Sequence, residues 1–316
     1  MQQIPMIDFS GVLAGNRQAH ADTVRKVYDA CTTIGFFYIK GHGIPQSLID
    51  DTFAASREFF AIPDEKKQDA RLNDIFRGHK PLEMVGGFDG KRVPGGAELF
   101  TVGLDVPKSD PLSGQLGYGP TPWPAAMPRF KPQVMKYFDA VSGVCAKVMA
   151  VLAESLDIDP RFFEGKYGKP TSTCVLLHYP PLPDDAPPGT MSGLEHTDWG
   201  SLTMLYQDNC GGLQVKNRDG KWIDALPIEG TFVLNIADML QRWSNDRFVS
   251  TPHRVINRSG KERYSIGVFY NPQSDAVVDP RELGVSAAQC RHKPIAAGAY
   301  IAGRWADFYG AQKPAA

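Results

Sequence analysis

The chain has 316 residues, of which 42% are hydrophobic and 22% charged, with a formal net charge of −1. These values are typical of a globular protein that buries a large core. The near-neutral charge provides no broad basic field, so it argues against nucleic acid or a membrane surface as a partner. No apolar run is long enough to span a bilayer, and residues 1–5 lack the basic and apolar segments of a secretion signal.

The cysteines indicate the redox environment. There are five, widely spaced, and no Cys-x-x-Cys pair occurs. This pattern excludes a zinc knuckle and a thioredoxin-type motif, and it favours free thiols in a reducing compartment. We therefore expect a cytoplasmic protein, and we expect it to act as a monomer.

The N-terminal part of the chain, residues 1–95, is predicted to be mainly helical. After a short strand, an amphipathic pattern predicts a helix over 17–34. Pro45 is well placed in the first turn of a second helix that ends near residue 60. Residues 71–97 are rich in glycine and charge, which is typical of a long irregular loop or lid with a functional role.

Residues from about 96 to 280 are predicted to form a β core. Apolar side chains at helical spacing first predict one long helix over 129–156. After Pro170, short β segments alternate with Gly, Asp, Asn and Pro turns, which indicates a sandwich or closed barrel. The C-terminal segment, 281–316, contains a predicted helix over 294–309. No linker divides these parts, so we predict one domain of mixed α+β class.

A candidate metal centre lies in the segment 194–200. Side chains alternate along an extended chain, so His196 and Asp198 can point at one position from a single strand. His253 supplies a second imidazole from a later β segment. Two histidines and one carboxylate form the facial triad of non-haem Fe(II) oxygenases, which leaves one coordination face open. A zinc hydrolase would instead show His-Glu-x-x-His or cysteine ligands, and neither occurs.

A candidate anion site follows the last of these histidines. Arg263 and Ser265 alternate on a predicted strand, so they share a face. A guanidinium beside a hydroxyl can bind a carboxylate through charge-assisted hydrogen bonds, and a buried arginine needs an anion because its desolvation is costly. Tyr179, at the end of another predicted strand, offers a phenolic donor to the same carboxylate.

Other common sites are absent from the sequence. There is no dinucleotide-binding glycine motif, no Walker loop, no nucleophile elbow and no basic patch interleaved with aromatic residues. Three histidines in polar stretches are expected to be solvated: His20, His79 and His292. Besides the 71–97 loop, three aromatic residues are expected to line the mouth of a substrate pocket: Phe100, Trp305 and Phe308.

With these motifs the sequence resembles the 2-oxoglutarate- and Fe(II)-dependent dioxygenases of the isopenicillin N synthase-like superfamily. The segments that carry the resemblance are 4–8, 35–44, 119–124, 179–181, 196–198, 211–215, 235–241, 250–255 and 263–265. The resemblance implies a double-stranded β-helix, or jelly-roll, core that is buttressed by N-terminal and C-terminal helices. It implies that Fe(II) is bound by His196, Asp198 and His253. It also implies 2-oxoglutarate as cosubstrate, with its distal carboxylate on Arg263 and Ser265, and O2 as the oxidant.

The activity implied by the resemblance is the oxidation of a small-molecule substrate with release of succinate and CO2. The reaction type, whether hydroxylation, desaturation or cyclisation, stays open. Many plant members carry Arg-x-Asn-x-Tyr-Pro-Pro ahead of the iron ligands. Here Tyr179 keeps the tyrosine, whereas Val175 and Leu177 stand in place of the arginine and the asparagine. The polar groups that hold the cosubstrate or the substrate are therefore fewer on this strand.

Three alternatives stay open at this point. An oxidase of the same fold that uses no 2-oxoglutarate would hold its substrate's own carboxylate on Arg263 and Ser265. An ethylene-forming enzyme is suggested by the region 98–124, which looks like that enzyme's. The third alternative is a catalytically silent small-molecule binding protein. Succinate release, headspace analysis and slow turnover without a primary substrate distinguish them.

Overall fold

The computed structural model describes residues 3–86, 92–187 and 189–310, without the side chains of 83–86, 92–95 and 308–310. The α-helices in this part of the chain are α1 (Ser10–Leu13), α2 (Arg17–Thr33), α3 (Gln46–Ala61), α4 (Phe130–Ser155), α5 (Asp238–Trp243) and α6 (Ala297–Gly310). Its β-strands are β1 (Met6–Asp8), β2 (Phe36–Lys40), β3 (Gly78–Lys80), β4 (Glu83–Gly86), β5 (Arg92–Gly95), β6 (Glu98–Gly103), β7 (Thr173–Tyr179), β8 (Gly193–His196), β9 (Leu202–Gln207), β10 (Leu213–Lys216), β11 (Trp222–Asp224), β12 (Phe232–Ile236), β13 (His253–Val255), β14 (Arg263–Tyr270), β15 (Val277–Val278) and β16 (Ile295–Ala296). Short 3-10 helices lie at Asp64–Ala70, Glu164–Lys166 and Pro280–Leu283.

Two β-sheets form the centre of the fold. The larger has eight strands in the order β1-β2-β12-β9-β14-β7-β6-β3, and the smaller has four in the order β11-β10-β13-β8. Neighbouring strands in both sheets run antiparallel, except that β1 and β2 are parallel. Strands distant in sequence lie side by side in both sheets, as they do in a jelly roll. The predicted fold class, a jelly-roll core with flanking helices, is confirmed.

The long helix α4 supports the larger sheet from outside. Its buried side chains follow helical spacing and include Val134, Tyr137, Val141, Val144, Val148 and Leu152. Together with α2 and α3 they join the main apolar core. The sequence pattern predicted this helix because its apolar face is continuous over about seven turns. With one face of the larger sheet covered, its other face is left to form a site.

The segment 71–97 contains regular structure, so the prediction of a wholly irregular loop is wrong. Strand β3 pairs with β6 at the edge of the larger sheet, and β4 pairs with β5 in a separate hairpin. The larger sheet thus contains three strands from the first 95 residues, β1, β2 and β3. Glycine-rich composition does not prevent short edge strands, which gain backbone hydrogen bonds from a neighbour. The division of the chain near residues 95 and 280 stays a prediction.

His79 is buried, so the expectation that it is solvated is wrong. It lies opposite Phe100 in the β3–β6 pair, and both side chains face the main core. Its Nε2 lies 2.7 Å from Oε1 of Glu98, which satisfies the ring in the interior. His20 and His292 are half-buried and also contact carboxylates, so neither is simply solvated.

The prediction that Phe100 lines a pocket mouth is also wrong. Its side chain has no exposed surface and packs against Phe59 and Phe130. Side chains alternate along a strand, so its neighbours Leu99 and Thr101 take the opposite face of the sheet. Those two residues line the pocket instead.

All five cysteines are free, as their spacing predicted. None of the described helices is long and apolar enough to cross a membrane.

Candidate metal centre and cosubstrate site

The two histidines of the predicted triad face each other across neighbouring strands. His196 ends β8, His253 begins β13, and the pairing of these strands sets the two residues opposite each other. Their ring centroids are 4.3 Å apart. Asp198 lies two residues after the end of β8, and its Oδ1 lies 3.6 Å from Nε2 of His196 and 3.7 Å from Nε2 of His253. The structure therefore brings the three predicted residues together.

Backbone carbonyls fix the orientation of both imidazoles. Nδ1 of His196 donates to the carbonyl of Leu194 over 2.7 Å, and Nδ1 of His253 donates to that of Thr251 over 3.2 Å. Because a carbonyl only accepts, each Nδ1 carries a proton, so in the neutral imidazole that binds a metal the lone pair lies on Nε2. Burial lowers the pKa of His253 to about 4, which keeps this imidazole neutral as a metal ligand requires.

Asp198 is held by two donors that leave one oxygen available. Asn235 donates from Nδ2 to its Oδ2 over 2.7 Å, and the hydroxyl of Thr203 donates to the same oxygen. Burial alone would raise the pKa of Asp198, but His253 and His196 outweigh it and hold the pKa well below its usual range. The carboxyl is therefore ionised, with Oδ1 turned toward the imidazoles.

This donor set fits a divalent metal ion. Two atoms that each lie about 2.1 Å from a metal, at 90 to 120°, are roughly 3 to 3.6 Å apart. The oxygen-to-nitrogen distances of 3.6 and 3.7 Å are close to that range. Among the described residues, no fourth His, Cys, Asp or Glu joins the three, and His196 is their exposed member. A metal here would have three protein ligands and an open side.

Arg263 lies fully buried on the inner face of the larger sheet. Its Nε donates to the carbonyl of Gly211 over 2.7 Å, and Nη1 lies 3.2 Å from the hydroxyl of Ser265. Nη2 approaches Oε1 of Gln207 at 3.3 Å. All these partners are neutral, and no carboxylate among the described residues forms an ion pair with Arg263. A desolvated guanidinium with neutral partners favours the arrival of an anion.

Tyr179 stands beside this arginine. The two residues are register partners on β7 and β14, and Cζ of Arg263 lies 4.8 Å from the tyrosine ring centroid. Burial raises the pKa of Tyr179, although Arg263 acts in the opposite direction, so the phenol remains a hydrogen-bond donor. Gln207, on β9, is a further polar residue beside Arg263. The sequence did not predict its role, because a glutamine on a strand belongs to no motif.

A cavity of about 940 Å³ opens beside the metal centre, with His196 and Asp198 in its wall. Trp305 lines it, as predicted, and stacks on Phe76 with ring centroids 3.7 Å apart. Phe308 lies outside the described side chains. The volume is at the upper end of the range of about 300 to 1,000 Å³ that is usual for small-molecule sites.

Comparison with protein families supports this assignment of the chemistry. Residues 4–126 match the family described as non-haem dioxygenase in morphine synthesis N-terminal. Residues 170–272 match the 2OG-Fe(II) oxygenase superfamily, and this match contains all three candidate metal ligands and the candidate anion site.

Individual relatives match over most of their length. A 2-oxoglutarate-Fe(II) type oxidoreductase, hxnY, of Emericella nidulans is 36% identical over 97% of this chain and 90% of its own. A homoarginine-6-hydroxylase of Glycine max is 35% identical, with 88% of each chain covered. The crystal structure of a full-length Neurospora crassa protein in complex with alpha-KG and thymine is similar, with a TM-score of 0.86, 31% identity and 97% of each chain covered.

Proposed function

Because the chain belongs to the 2OG-Fe(II) oxygenase superfamily, we propose that His196, Asp198 and His253 bind its Fe(II). The enzyme is a 2-oxoglutarate-dependent dioxygenase that oxidises a small molecule. When bound, the metal supplies the activation of O2 that is coupled to decarboxylation of 2-oxoglutarate. The observation that carries the ligand assignment is the approach of one donor atom from each residue to within 4.8 Å of the others.

The same proposal assigns the distal carboxylate of 2-oxoglutarate to Arg263, Ser265 and Tyr179. The guanidinium supplies charge in a buried position, and the two hydroxyls supply neutral hydrogen bonds beside it. Charge-assisted hydrogen bonds of this kind are stronger than neutral ones. The cosubstrate would thus be held at its far end by strands β7 and β14.

The rest of the chain would position these groups and exclude water. Asn235 and Thr203 fix the carboxylate of Asp198, and the carbonyls of Leu194 and Thr251 fix the imidazoles. Such outer hydrogen bonds orient metal ligands. The walls of the cavity limit solvent access, which protects reactive species from side reactions.

The proposal extends to the organisation of the protein. We propose a monomeric, cytoplasmic enzyme in which residues 1–316 act as a single oxygenase domain. The small net charge and the five free cysteines support this proposal. Analytical ultracentrifugation tests the assembly, and fractionation of the source cells tests the location.

The ligand assignment is tested with His196→Ala. We expect the wild-type protein to bind Fe(II) and to release succinate slowly from 2-oxoglutarate without a primary substrate, and the variant to lose both properties. His20→Ala, remote from the centre on α2, is the matched control. Retention of iron binding and succinate release by His196→Ala would refute the assignment. A metabolite screen that follows succinate and substrate mass then separates hydroxylation, which adds an oxygen, from desaturation, which removes two hydrogens.

A further inference from the structure

Arg77 places a second buried guanidinium at the wall of the cavity. The residue is 1% exposed, and Nη2 donates to the carbonyl of Gly117 over 2.7 Å. Its Nε has no hydrogen-bond partner, and no carboxylate among the described residues forms an ion pair with it. Burial lowers the pKa of Arg77 to about 10, although Asp105 and Tyr118 act in the opposite direction. A buried cation with so few partners is costly unless a ligand supplies an anion.

Arg77 is separate from the arginine proposed for the cosubstrate. A Cβ atom built on Gly103 would lie 2.0 Å from Nη2 of Arg77, so the guanidinium packs directly against Gly103 of β6. Gly103 pairs with Thr173, whereas Ser265 pairs with Leu177. Four residues along β7 correspond to roughly 13 Å. One carboxylate therefore cannot reach both arginines.

The guanidinium lies across the cavity from the metal centre. Thr203, which holds Asp198, pairs with Phe269, then Phe269 with Thr173, and Thr173 with Gly103. These residues form one row on the inner face of four neighbouring strands. Three inter-strand spacings separate its ends by on the order of 14 Å. A small molecule that bridges this row would present one end to the metal and the other to Arg77.

The wall between these two ends is mostly apolar. Among the lining residues whose side chains the structure describes, Asp198 is the one acidic group. Val175 and Leu177, which stand where related plant enzymes carry an arginine and an asparagine, both face the cavity. The cations at this wall, Arg77 and Lys80, thus come from the 71–80 segment and not from β7. A ligand that fits this cavity would make apolar contacts along its body and place a negative charge at the end that meets a cation, so it would be an amphiphilic anion.

We propose that the primary substrate is a small carboxylate with an apolar body, whose carboxylate is held by Arg77 across the cavity from the metal. This inference rests on the proposed function, because it places the reacting end of the substrate at the metal centre. Arg77 is a binding residue in this role. The alternative is a structural arginine that only fixes the segment around Gly117, and this alternative predicts no preference for anions.

Matched ligand pairs test the proposal without turnover. The probes are benzoate, phenylacetate, 3-phenylpropionate and 4-phenylbutyrate, each beside its primary amide. Binding is followed by the fluorescence of Trp199 and Trp305, which line the cavity, in the anaerobic Fe(II) protein with saturating 2-oxoglutarate. We expect at least one carboxylate to bind roughly 30-fold more tightly than its amide, which is the scale of a lost partner to a buried charge. If no carboxylate of the series binds more tightly than its amide, the proposal is overturned.

Variants then assign the preference to Arg77. Arg77→Met is expected to remove it, and Arg77→Lys is expected to keep part of it. Arg71→Gln, in the same segment but outside the cavity lining, is the matched control and should keep it fully. Circular dichroism checks that each variant folds. Should Arg77→Met not fold, the wild-type ligand pairs and Arg77→Lys still test whether Arg77 binds the carboxylate. An unchanged preference for carboxylates in a folded Arg77→Met refutes this role of Arg77.

Two controls separate this inference from the proposed function. The visible absorption of the Fe(II)–2-oxoglutarate complex and slow succinate release report the metal and cosubstrate sites. Their absence would overturn the proposed function. Their presence without any preference for carboxylates would overturn the substrate inference alone.

Discussion

Asn235 donates a hydrogen bond from Nδ2 to Oδ2 of Asp198 over 2.7 Å. This bond and the one from Thr203 occupy the oxygen that faces away from the imidazoles, so they set the direction of the other oxygen. Loss of such an outer partner commonly weakens metal binding by about 10- to 100-fold. We therefore expect Asn235→Ala to raise the Kd for Fe(II) by that factor, as measured by anaerobic titration.

The control for this prediction is Asn217→Ala. Its side chain accepts hydrogen bonds within an exposed turn, from the backbone of Asp219 and Lys221, and makes none to the metal centre. Asn235→Ala could also lower stability because the residue is buried in β12. Chemical denaturation of the metal-free proteins measures that effect separately. An unchanged Kd for Fe(II) in a folded Asn235→Ala would show that Asp198 needs no orientation from β12.

Arg263 gives a prediction about the cosubstrate. Arg263→Met keeps much of the side-chain volume but removes the buried charge. Truncating one partner of a buried charged pair costs about 2 to 5 kcal/mol, so we expect the Kd for 2-oxoglutarate to rise at least roughly 30-fold. The matched comparison is 2-oxovalerate, which has the same chain length but no distal carboxylate.

Wild-type protein is expected to prefer 2-oxoglutarate strongly over 2-oxovalerate, and Arg263→Met to lose this preference. Arg254→Met, on β13 with its guanidinium over Trp222, is the control for loss of an arginine from the core strands. If Arg263→Met still discriminates between the two acids, the distal carboxylate is held elsewhere.

His178 gives a prediction about pH. Burial alone would lower the pKa of His178, but hydrogen bonds to Glu98 and Glu262 outweigh it and raise the pKa. A group whose pKa is raised on folding stabilises the fold fully below its unfolded pKa, here about 6.5. That contribution is lost as the pH rises through the higher pKa of the folded state.

We therefore expect the stability advantage of wild type over His178→Gln to be largest below pH 6.5 and to shrink above it. The measurement is the free energy of unfolding by urea at a series of pH values, on metal-free protein. Glu262→Gln removes one of the two acceptors and so lowers the pKa of His178 in the folded state; its loss of stability should be smaller and should be complete at a lower pH than that of wild type. A difference between wild type and His178→Gln that does not vary with pH contradicts the assignment.

The predictable parts of the molecule are those that local spacing determines. Helix α4 follows from the continuous apolar face of 129–156, and the short strands after residue 170 follow from their turns. The alternation of His196 and Asp198, and of Arg263 and Ser265, was likewise sufficient to name candidate sites. What spacing cannot supply is which strands become neighbours, because that depends on packing over the whole core.

The residues missed by the sequence interpretation all depend on that tertiary pairing. Asn235 becomes important only because β12, in the larger sheet, faces the segment that carries Asp198, and Gln207 only because β9 lies beside β14. Arg77 sits in a glycine-rich segment, where an arginine is usually a surface charge. Phe100 and His79 were misplaced because one step along a strand decides which face a side chain takes.

Helix α6 is attached through Asp238 to Thr197, the residue between the candidate metal ligands His196 and Asp198. Oδ2 of Asp238 accepts a hydrogen bond from the Thr197 hydroxyl over 3.0 Å and lies 3.1 Å from Nη2 of Arg304. The next residue, Trp305, stacks on Phe76 at 3.7 Å. A partly exposed ion pair contributes about 0.2 to 1 kcal/mol, whereas removing a large aromatic side chain from a packed site costs about 3 to 5 kcal/mol when it is fully buried.

Trp305 is half-buried, so its contribution is smaller than that upper figure but still exceeds that of the ion pair. We therefore expect Trp305→Ala to increase amide hydrogen exchange in residues 297–307 much more than Arg304→Gln does. Arg281→Gln, which removes a partly exposed ion pair with Asp279, is the control and should leave α6 unchanged. Greater exchange in Arg304→Gln than in Trp305→Ala would mean that the ion pair, and not the aromatic stack, holds this helix against the cavity.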